Sequence, residues 1–278
     1  VFPGKSIVTL HDLGYKVFPS AHPTRQRLYL DWTTRYSQQR ATYILADSQA
    51  TARDLTEFYG TSADKIRVVY PGVDAEPLQQ TLQPIDAIRQ KYGLPERYFL
   101  FIGTLQPRKN IERIVQAFSQ WQQQTHNQDT ALVLAGGQGW LFDEAWIHNS
   151  QRVILTGYID EADKSTLLQG AIALVFPTLY EGFGFPVIEA MHCGTPVIAS
   201  TTSSLPELVD SAGLLVDPTD TDAIANAMQR YHQDTTLRQT MITRGYQQAQ
   251  QFTWEKTALD TMQIFHTINA SINNSVTT

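Results

Sequence analysis

What most constrains this chain is the recurrence of short apolar runs, at residues 6–10, 42–46, 66–69, 98–102, 131–135, 153–155, 172–176, 197–199 and 214–216. Runs this short and continuous predict strands buried on both faces, as in parallel sheets. Between them lie stretches with helical periodicity. Ile111, Ile114, Val115 and Phe118 recur at i, i+3, i+4 and i+7, one buried face, with Asn110 placed as the N-cap. A second helix is expected over 186–193, with Pro186 in its first turn and Gly194 just beyond its end. Strand and helix alternating at this pace imply parallel sheets joined by right-handed crossovers, a doubly wound α/β class.

The pattern lapses between residues 71 and 95, where a Pro-Gly-Val-Asp segment, a Gln-rich stretch and Leu-Pro-Glu follow one another. That interval is the expected linker. It divides the chain near residue 80 into 1–80 and 81–252, followed by a terminal helical segment at 253–278. The apolar period of that segment covers 254–268, and its Asn/Ser/Thr-rich tail from Asn269 is expected to fray. The chain starts without Met and enters a strand almost at once, which reads as a first domain truncated at its N-terminus.

Cys193 is the single cysteine, which excludes a disulfide framework and makes a reducing, cytoplasmic setting the simplest one. The glycosylation patterns at Asn269-Ala270-Ser271 and Asn273-Asn274-Ser275 are accordingly read as chance. No apolar run reaches the roughly 18 residues of a spanning helix. The formal net charge of -6 argues against nucleic acid as a partner. Residues 1–70 nevertheless carry nine Lys+Arg against six Asp+Glu. That basic first part could face an anionic membrane surface or a phosphorylated acceptor, although an ordinary solvated surface is the plainer reading.

Three constellations carry the chemistry. Glu181-Gly182-Phe183-Gly184-Phe185-Pro186-Val187-Ile188-Glu189 follows the strand at 172–176 and opens a helix, which puts it at the carboxyl end of a parallel strand, where such sheets bind ligands. Its glycines allow close backbone approach, the amides entering the helix favour a phosphate, and the two carboxylates can accept hydrogen bonds from sugar or ribose hydroxyls. Gly103-Thr104-Leu105-Gln106-Pro107-Arg108-Lys109-Asn110 also links strand to helix and offers two cations to a diphosphate, the plainer alternative being two solvated surface charges. His11-Asp12 ends the first strand; a neutral imidazole there can donate to a sugar or a phosphate, with Asp12 influencing its tautomer or simply the turn. Gly136-Gly137-Gln138-Gly139 follows a strand but lacks full dinucleotide-fingerprint spacing, so a plain turn explains it as well as a ligand loop does, and Asp220-Thr221-Asp222 is assigned to helix capping rather than to a metal. His192-Cys193 has no partner cluster at ligand spacing, so Cys193 reads as a buried small hydrophobe.

The Glu181 to Glu189 nonapeptide resembles the E-x7-E motif of the family 4 glycosyltransferases, retaining enzymes with two Rossmann-like domains facing a cleft in the GT-B arrangement. The resemblance extends through Val69-Tyr70-Pro71-Gly72-Val73-Asp74, Phe101-Ile102-Gly103-Thr104-Leu105, Leu134-Ala135-Gly136-Gly137 and Gly194-Thr195-Pro196-Val197-Ile198-Ala199. It implies that residues 1–80 are the end of an acceptor-side domain, that 81–252 bind the donor, and that the terminal helix packs back toward the first domain. It further implies that Glu181 contacts the donor sugar and Glu189 the ribose. Gly182, Phe183, Gly184 and Phe185 would supply amides, Gly103 room, and Lys109 with Arg108 charge for the diphosphate. Arg108 would stand in for the arginine that Thr104 replaces. His11 would face the sugar near the reacting carbon, and Tyr158 would lie beside the base. Catalytic roles fall to His11, Glu181 and Lys109; no metal or other cofactor is implied. The expected reaction is retaining transfer of a hexose from a nucleotide-diphosphate sugar, UDP-glucose or a related UDP-hexose before GDP-mannose, to a saccharide or lipid-linked acceptor. The competing readings are a nucleotide-sugar epimerase and a non-catalytic nucleotide-sugar-binding module.

Overall fold

A computed structural model describes residues 4–79, 83–139, 141–147, 150 and 152–276. Each apolar run forms a strand: β1 (Ile7–Leu10), β2 (Tyr43–Ala46), β3 (Ile66–Val68), β4 (Arg97–Ile102), β5 (Thr130–Ala135), β6 (Val153–Gly157), β7 (Leu174–Phe176), β8 (Val197–Ser200) and β9 (Leu214–Val216). All their pairings are parallel. They make two sheets, ordered β1-β2-β3 and β6-β5-β4-β7-β8-β9. The chain forms two compact units, Val1–Asp74 with Gln251–Thr278, and Ala75–Gln250.

In the first unit, successive residues of β2 face opposite ways, as a pleated strand requires. Ile44 and Ala46 join Leu13 and Leu55 on one face, while Leu45 joins Val69, Ile264 and Ile268 on the other. The helix Trp254–Val276 supplies the last two. Burying each of those isoleucines is worth about 2 kcal/mol, which ties a segment distant in sequence to this sheet. Thr257 Oγ1 donates to the Tyr70 carbonyl at 2.7 Å and Val73 N to the Phe252 carbonyl at 3.0 Å. The helix continues past Asn269 to Val276 instead of fraying there, because a ladder already propagating outweighs the weak individual propensities of Asn, Ser and Thr. The side chains of both glycosylation patterns from Ser271 onward lie outside the described residues.

In the second unit, β5 is buried throughout and β4 everywhere beyond Arg97. The helix Ile111–Thr125 lays Ile111, Ile114, Val115, Phe118 and Trp121 on this sheet, with Phe99 and Trp121 edge to face at 5.3 Å between ring centroids. The division between units falls at Asp74/Ala75 rather than at residue 80, and the expected linker contains the helices Ala75–Gln79 and Ile85–Tyr92. Leu78 is buried and its carbonyl accepts from Cys193 Sγ at 3.3 Å and Gln169 Nε2 at 3.4 Å. Among the described side chains, each of these short helices has one deep apolar anchor, Leu78 or Ile88, so neither leaves a repeating period in the sequence.

Candidate active site

β4 and β7 lie side by side, yet β4 connects to β5 on one side and β7 to β8 on the other. This reversal leaves a crevice beyond the carboxyl ends of the two strands, the place where open parallel sheets bind ligands. The two loops predicted to hold a donor leave the sheet there.

After β4 the chain turns through Pro107–Lys109 and enters the helix Ile111–Thr125 at Asn110, whose φ is 62°. Asn110 occupies the cap position but its side chain makes no cap bond. Its Nδ2 donates to the Pro177 and Pro218 carbonyls at 2.9 and 2.7 Å, and Oδ1 accepts from Arg113 at 2.7 Å. Asn110 thus fastens the β4 loop to the loop after β7, and the left-handed backbone turns its amide inward. Leu179 N donates to the Arg108 carbonyl at 2.9 Å, a further tie between these loops.

Beyond β7 the backbone reaches Glu181, whose side chain is only 9% exposed. Its carboxylate meets Lys109 Nζ at 2.7 Å and the Arg108 guanidinium at 3.4 Å. Arg108 also donates to the Tyr180 carbonyl at 2.7 Å, and Lys109 Nζ stands 5.2 Å from the Phe176 ring centroid. Side-chain exposures of 18% and 12% exclude the reading of Arg108 and Lys109 as solvated surface cations. Two serines that the sequence does not single out hold the Glu181 backbone. Glu181 N donates to Ser203 Oγ at 3.0 Å, and Ser204 Oγ donates to the Glu181 carbonyl at 3.1 Å and to that of Phe183.

Gly184 enters the helix Phe185–His192 at φ 122°, and a Cβ there would lie 2.7 Å from Leu205 Cδ2. Both facts require glycine. Gly182, Phe183 and Phe185 complete the turn, with Phe183 and Phe185 packed edge to face at 5.0 Å. Glu189 falls in the second turn of this helix, and its partner is Lys164 Nζ at 2.9 Å, from the helix Glu161–Gln169. Burial acts to lower the Lys164 pKa, but its bonds to Glu161 and Glu189 outweigh that and leave it raised. The two acids of the motif are therefore held by different cations from different elements.

Gly137 packs flat under the Tyr158 ring, where a Cβ would come within 2.5 Å, and its carbonyl accepts from Leu105 N at 2.9 Å. The Gly136 to Gly139 stretch thereby braces the Gly103 loop, as a turn should, and Tyr158 stands 86% exposed just past β6. Asp220 caps the helix Thr221–Gln233, accepting from Ala223 N at 2.9 Å. Burial pushes the Cys193 thiol up to about 12, Glu189 adding to the effect, so it stays protonated as a small hydrophobe.

His11, in the other unit, follows β1. Asp12 serves the turn, accepting from Gly14 N at 2.8 Å. The partner of the imidazole is Asp47, a residue that sequence reasoning missed, with His11 Nδ1 and Asp47 Oδ2 2.7 Å apart. Spacing in the sequence could not reveal it; the β1–β2 register does, since Leu10 pairs with Ala46 and the next residues are His11 and Asp47.

Fold and site together define a doubly wound α/β protein with paired cations and carboxylates on its ligand edge. The chain belongs to the glycosyl transferases group 1, whose family matches residues 84–248, and residues 3–77 match the description Glycosyltransferase Family 4. It is 33% identical to O-antigen chain mannosyltransferase B of Escherichia coli, covering 94% of this chain and 70% of that protein. Of the longer serotype-specific mannosyltransferases from the same organism it spans 32% of the length. Sucrose-phosphate synthase from Thermosynechococcus elongatus superposes with a TM-score of 0.78 at 28% identity, over 97% of this chain and 69% of that one. Anabaena HepE in complex with UDP-glucose matches in fold, with a TM-score of 0.77 at 23% identity over 96% and 72%. These likenesses support the two-domain GT-B class.

Proposed function

We propose that this chain carries the donor site of a retaining hexosyltransferase, which moves a hexose from a nucleotide-diphosphate sugar to a hydroxyl of a saccharide or lipid-linked saccharide. The observation that carries this is the Lys109–Glu181–Arg108 cluster at the switch point. A diphosphate entering the crevice offers its charge to Lys109 and Arg108. Glu181, released from part of that pairing, is then free to accept hydrogen bonds from sugar hydroxyls. The same cations stabilise the charge that grows on the leaving phosphate, which is the electrostatic task of such a site. Transfer on the same face, with the departing phosphate oxygen taking the acceptor proton, accounts for retention. Glu189 takes the ribose and Tyr158 the base.

For the sugar, the mannosyltransferase at 33% identity favours a mannosyl donor over the UDP-glucose expected from the sequence. Thermal shifts with UDP, GDP and ADP sugars separate these, since a ligand at 100 times its Kd stabilises by about 2.7 kcal/mol. Acceptor-dependent release of nucleotide, abolished in Lys109→Ala and Glu181→Ala, is the expected result; interconversion of donor epimers without acceptor would replace this reading with the epimerase. Peripheral contact with anionic lipid is supported by the helix Thr24–Arg40, which exposes Tyr29 and Trp32 and also carries the exposed Arg25. No helix among the described residues is long and apolar enough to cross a membrane.

A further inference from the structure

The His11–Asp47 pair is built asymmetrically. The imidazole is 78% exposed, whereas the carboxylate that meets it is 13% exposed. The surroundings fix both. His11 and Asp47 each follow the last paired residue of neighbouring parallel strands, so the register alone brings them side by side. The His11 carbonyl accepts from Thr51 Oγ1 at 3.3 Å, and Ser48, next to Asp47, caps the helix Gln49–Tyr59 by accepting from Thr51 N at 3.0 Å. Thr51 and Ser48 thus clamp the backbone on which both groups ride. Burial pushes the Asp47 carboxyl up from the usual range, the His11 hydrogen bond opposes this, and Asp12 adds a repulsion that raises it further.

We propose that Asp47 is a positioning residue, which holds the ring proton of neutral His11 on Nδ1 and leaves Nε2 as a hydrogen-bond acceptor aimed at a hydroxyl-bearing ligand. A carboxylate has no proton to give, so the N–H of the pair belongs to the imidazole, and a neutral imidazole has only one. The open nitrogen therefore receives a proton in a hydrogen bond. This reverses the expectation that a neutral His11 donates to a sugar or phosphate. A bare phosphate oxygen has nothing to offer such a nitrogen, whereas a sugar hydroxyl does. The functional part of the inference rests on the reading of this chain as a sugar transferase; the tautomer does not.

The test is 15N NMR of the His11 ring in the whole chain, with activity measured on the same proteins. Neutral His11 is expected to carry its proton on Nδ1 in the unsubstituted protein. Asp47→Ala should move the population toward the Nε2–H form, and Asp47→Glu should restore the Nδ1–H form in part. Asp47→Asn, close to isosteric, covers the case in which the alanine variant does not fold. Turnover should fall by about tenfold or more in Asp47→Asn, with kcat affected more than KM, since a misplaced tautomer costs catalysis while geometry survives. His11→Ala/Asp47→Ala should be no slower than His11→Ala alone, because Asp47 acts through the ring. An Nε2–H tautomer in the unsubstituted protein overturns the proposal. So does a double variant slower than His11→Ala. If His11→Ala is fully active while the tautomer is Nδ1–H and shifts in Asp47→Ala, the placement by Asp47 stands and the role given to His11 in turnover falls.

Discussion

Replacing Glu181 by Ala tests whether the switch-point cluster is an electrostatic site or a structural ion pair. The substitution leaves Lys109, 12% exposed, without the carboxylate 2.7 Å away, and removes the weaker 3.4 Å contact of Arg108, which keeps the Tyr180 carbonyl. Breaking a buried pair by removing one partner costs about 3–5 kcal/mol, and the residual exposure of the lysine places this case near the lower end, about 3 kcal/mol. For a unit of this size each kcal/mol moves Tm by about 2–4 °C, so the variant should melt roughly 6–12 °C lower. Glu181→Gln still accepts from Lys109 and should lose only about 1 kcal/mol. The sign of the ligand effect is the sharper measurement. Two uncompensated cations favour a diphosphate, so UDP or GDP without sugar should bind Glu181→Ala at least as tightly as the unsubstituted protein. The extra affinity of the intact nucleotide sugar over the bare nucleotide should vanish, because the acceptor for its hydroxyls is gone. Calorimetric titration of both ligands reads this directly. An alanine variant that melts within about 2 °C of the parent, or that loses nucleotide and nucleotide sugar in equal proportion, would refute the reasoning.

Two further outcomes follow from groups outside that cluster. Burial lowers the pKa of His192, and burial with the Arg97 and Arg238 charges lowers that of His232, so between their folded pKa values and about 6.5 the unfolded chain binds more protons than the folded one. Stability should be level above that pH and fall as pH drops below it; melting curves between pH 8 and 5.5 check this, and His192→Leu should flatten the fall. Asp220→Ala should cost about 1 kcal/mol by removing the cap on Ala223 N, while Asp220→Asn, also a good cap, should melt as the parent does and remain indifferent to EDTA, an outcome that a metal ligand could not give.

The strands were legible because burial on both faces of a parallel sheet demands uninterrupted apolar runs, a signal carried within a few neighbouring residues. Motifs at strand ends were legible for the same reason: Gly103, Lys109, Glu181 and Gly184 lie within a few positions of the run that places them. What stayed hidden depends on strand order. Lys109 meets Glu181 because β4 and β7 are neighbours in the sheet, and Asp47 meets His11 because β1 and β2 are. Ser203, Ser204 and Lys164 likewise reach the motif from other connections. The helix Ala75–Gln79 was missed for a different reason, since one deep anchor makes no period.

Strand order also separates two acids that look equivalent in the motif. Glu181 precedes its helix and answers to cations carried on the β4 connection, across the switch point. Glu189 lies within the helix and answers to Lys164, carried on the connection from β6 to β7. Sharing no partner, they would bias separate ends of the proposed donor: the sugar and diphosphate end for Glu181, the ribose end for Glu189. Independent sites combine additively in free energy, whereas Glu181 and Lys109, joined in one contact, do not. On the function proposed above, the two-carboxylate motif would act as two positioning devices spaced along one donor rather than as a catalytic acid–base pair.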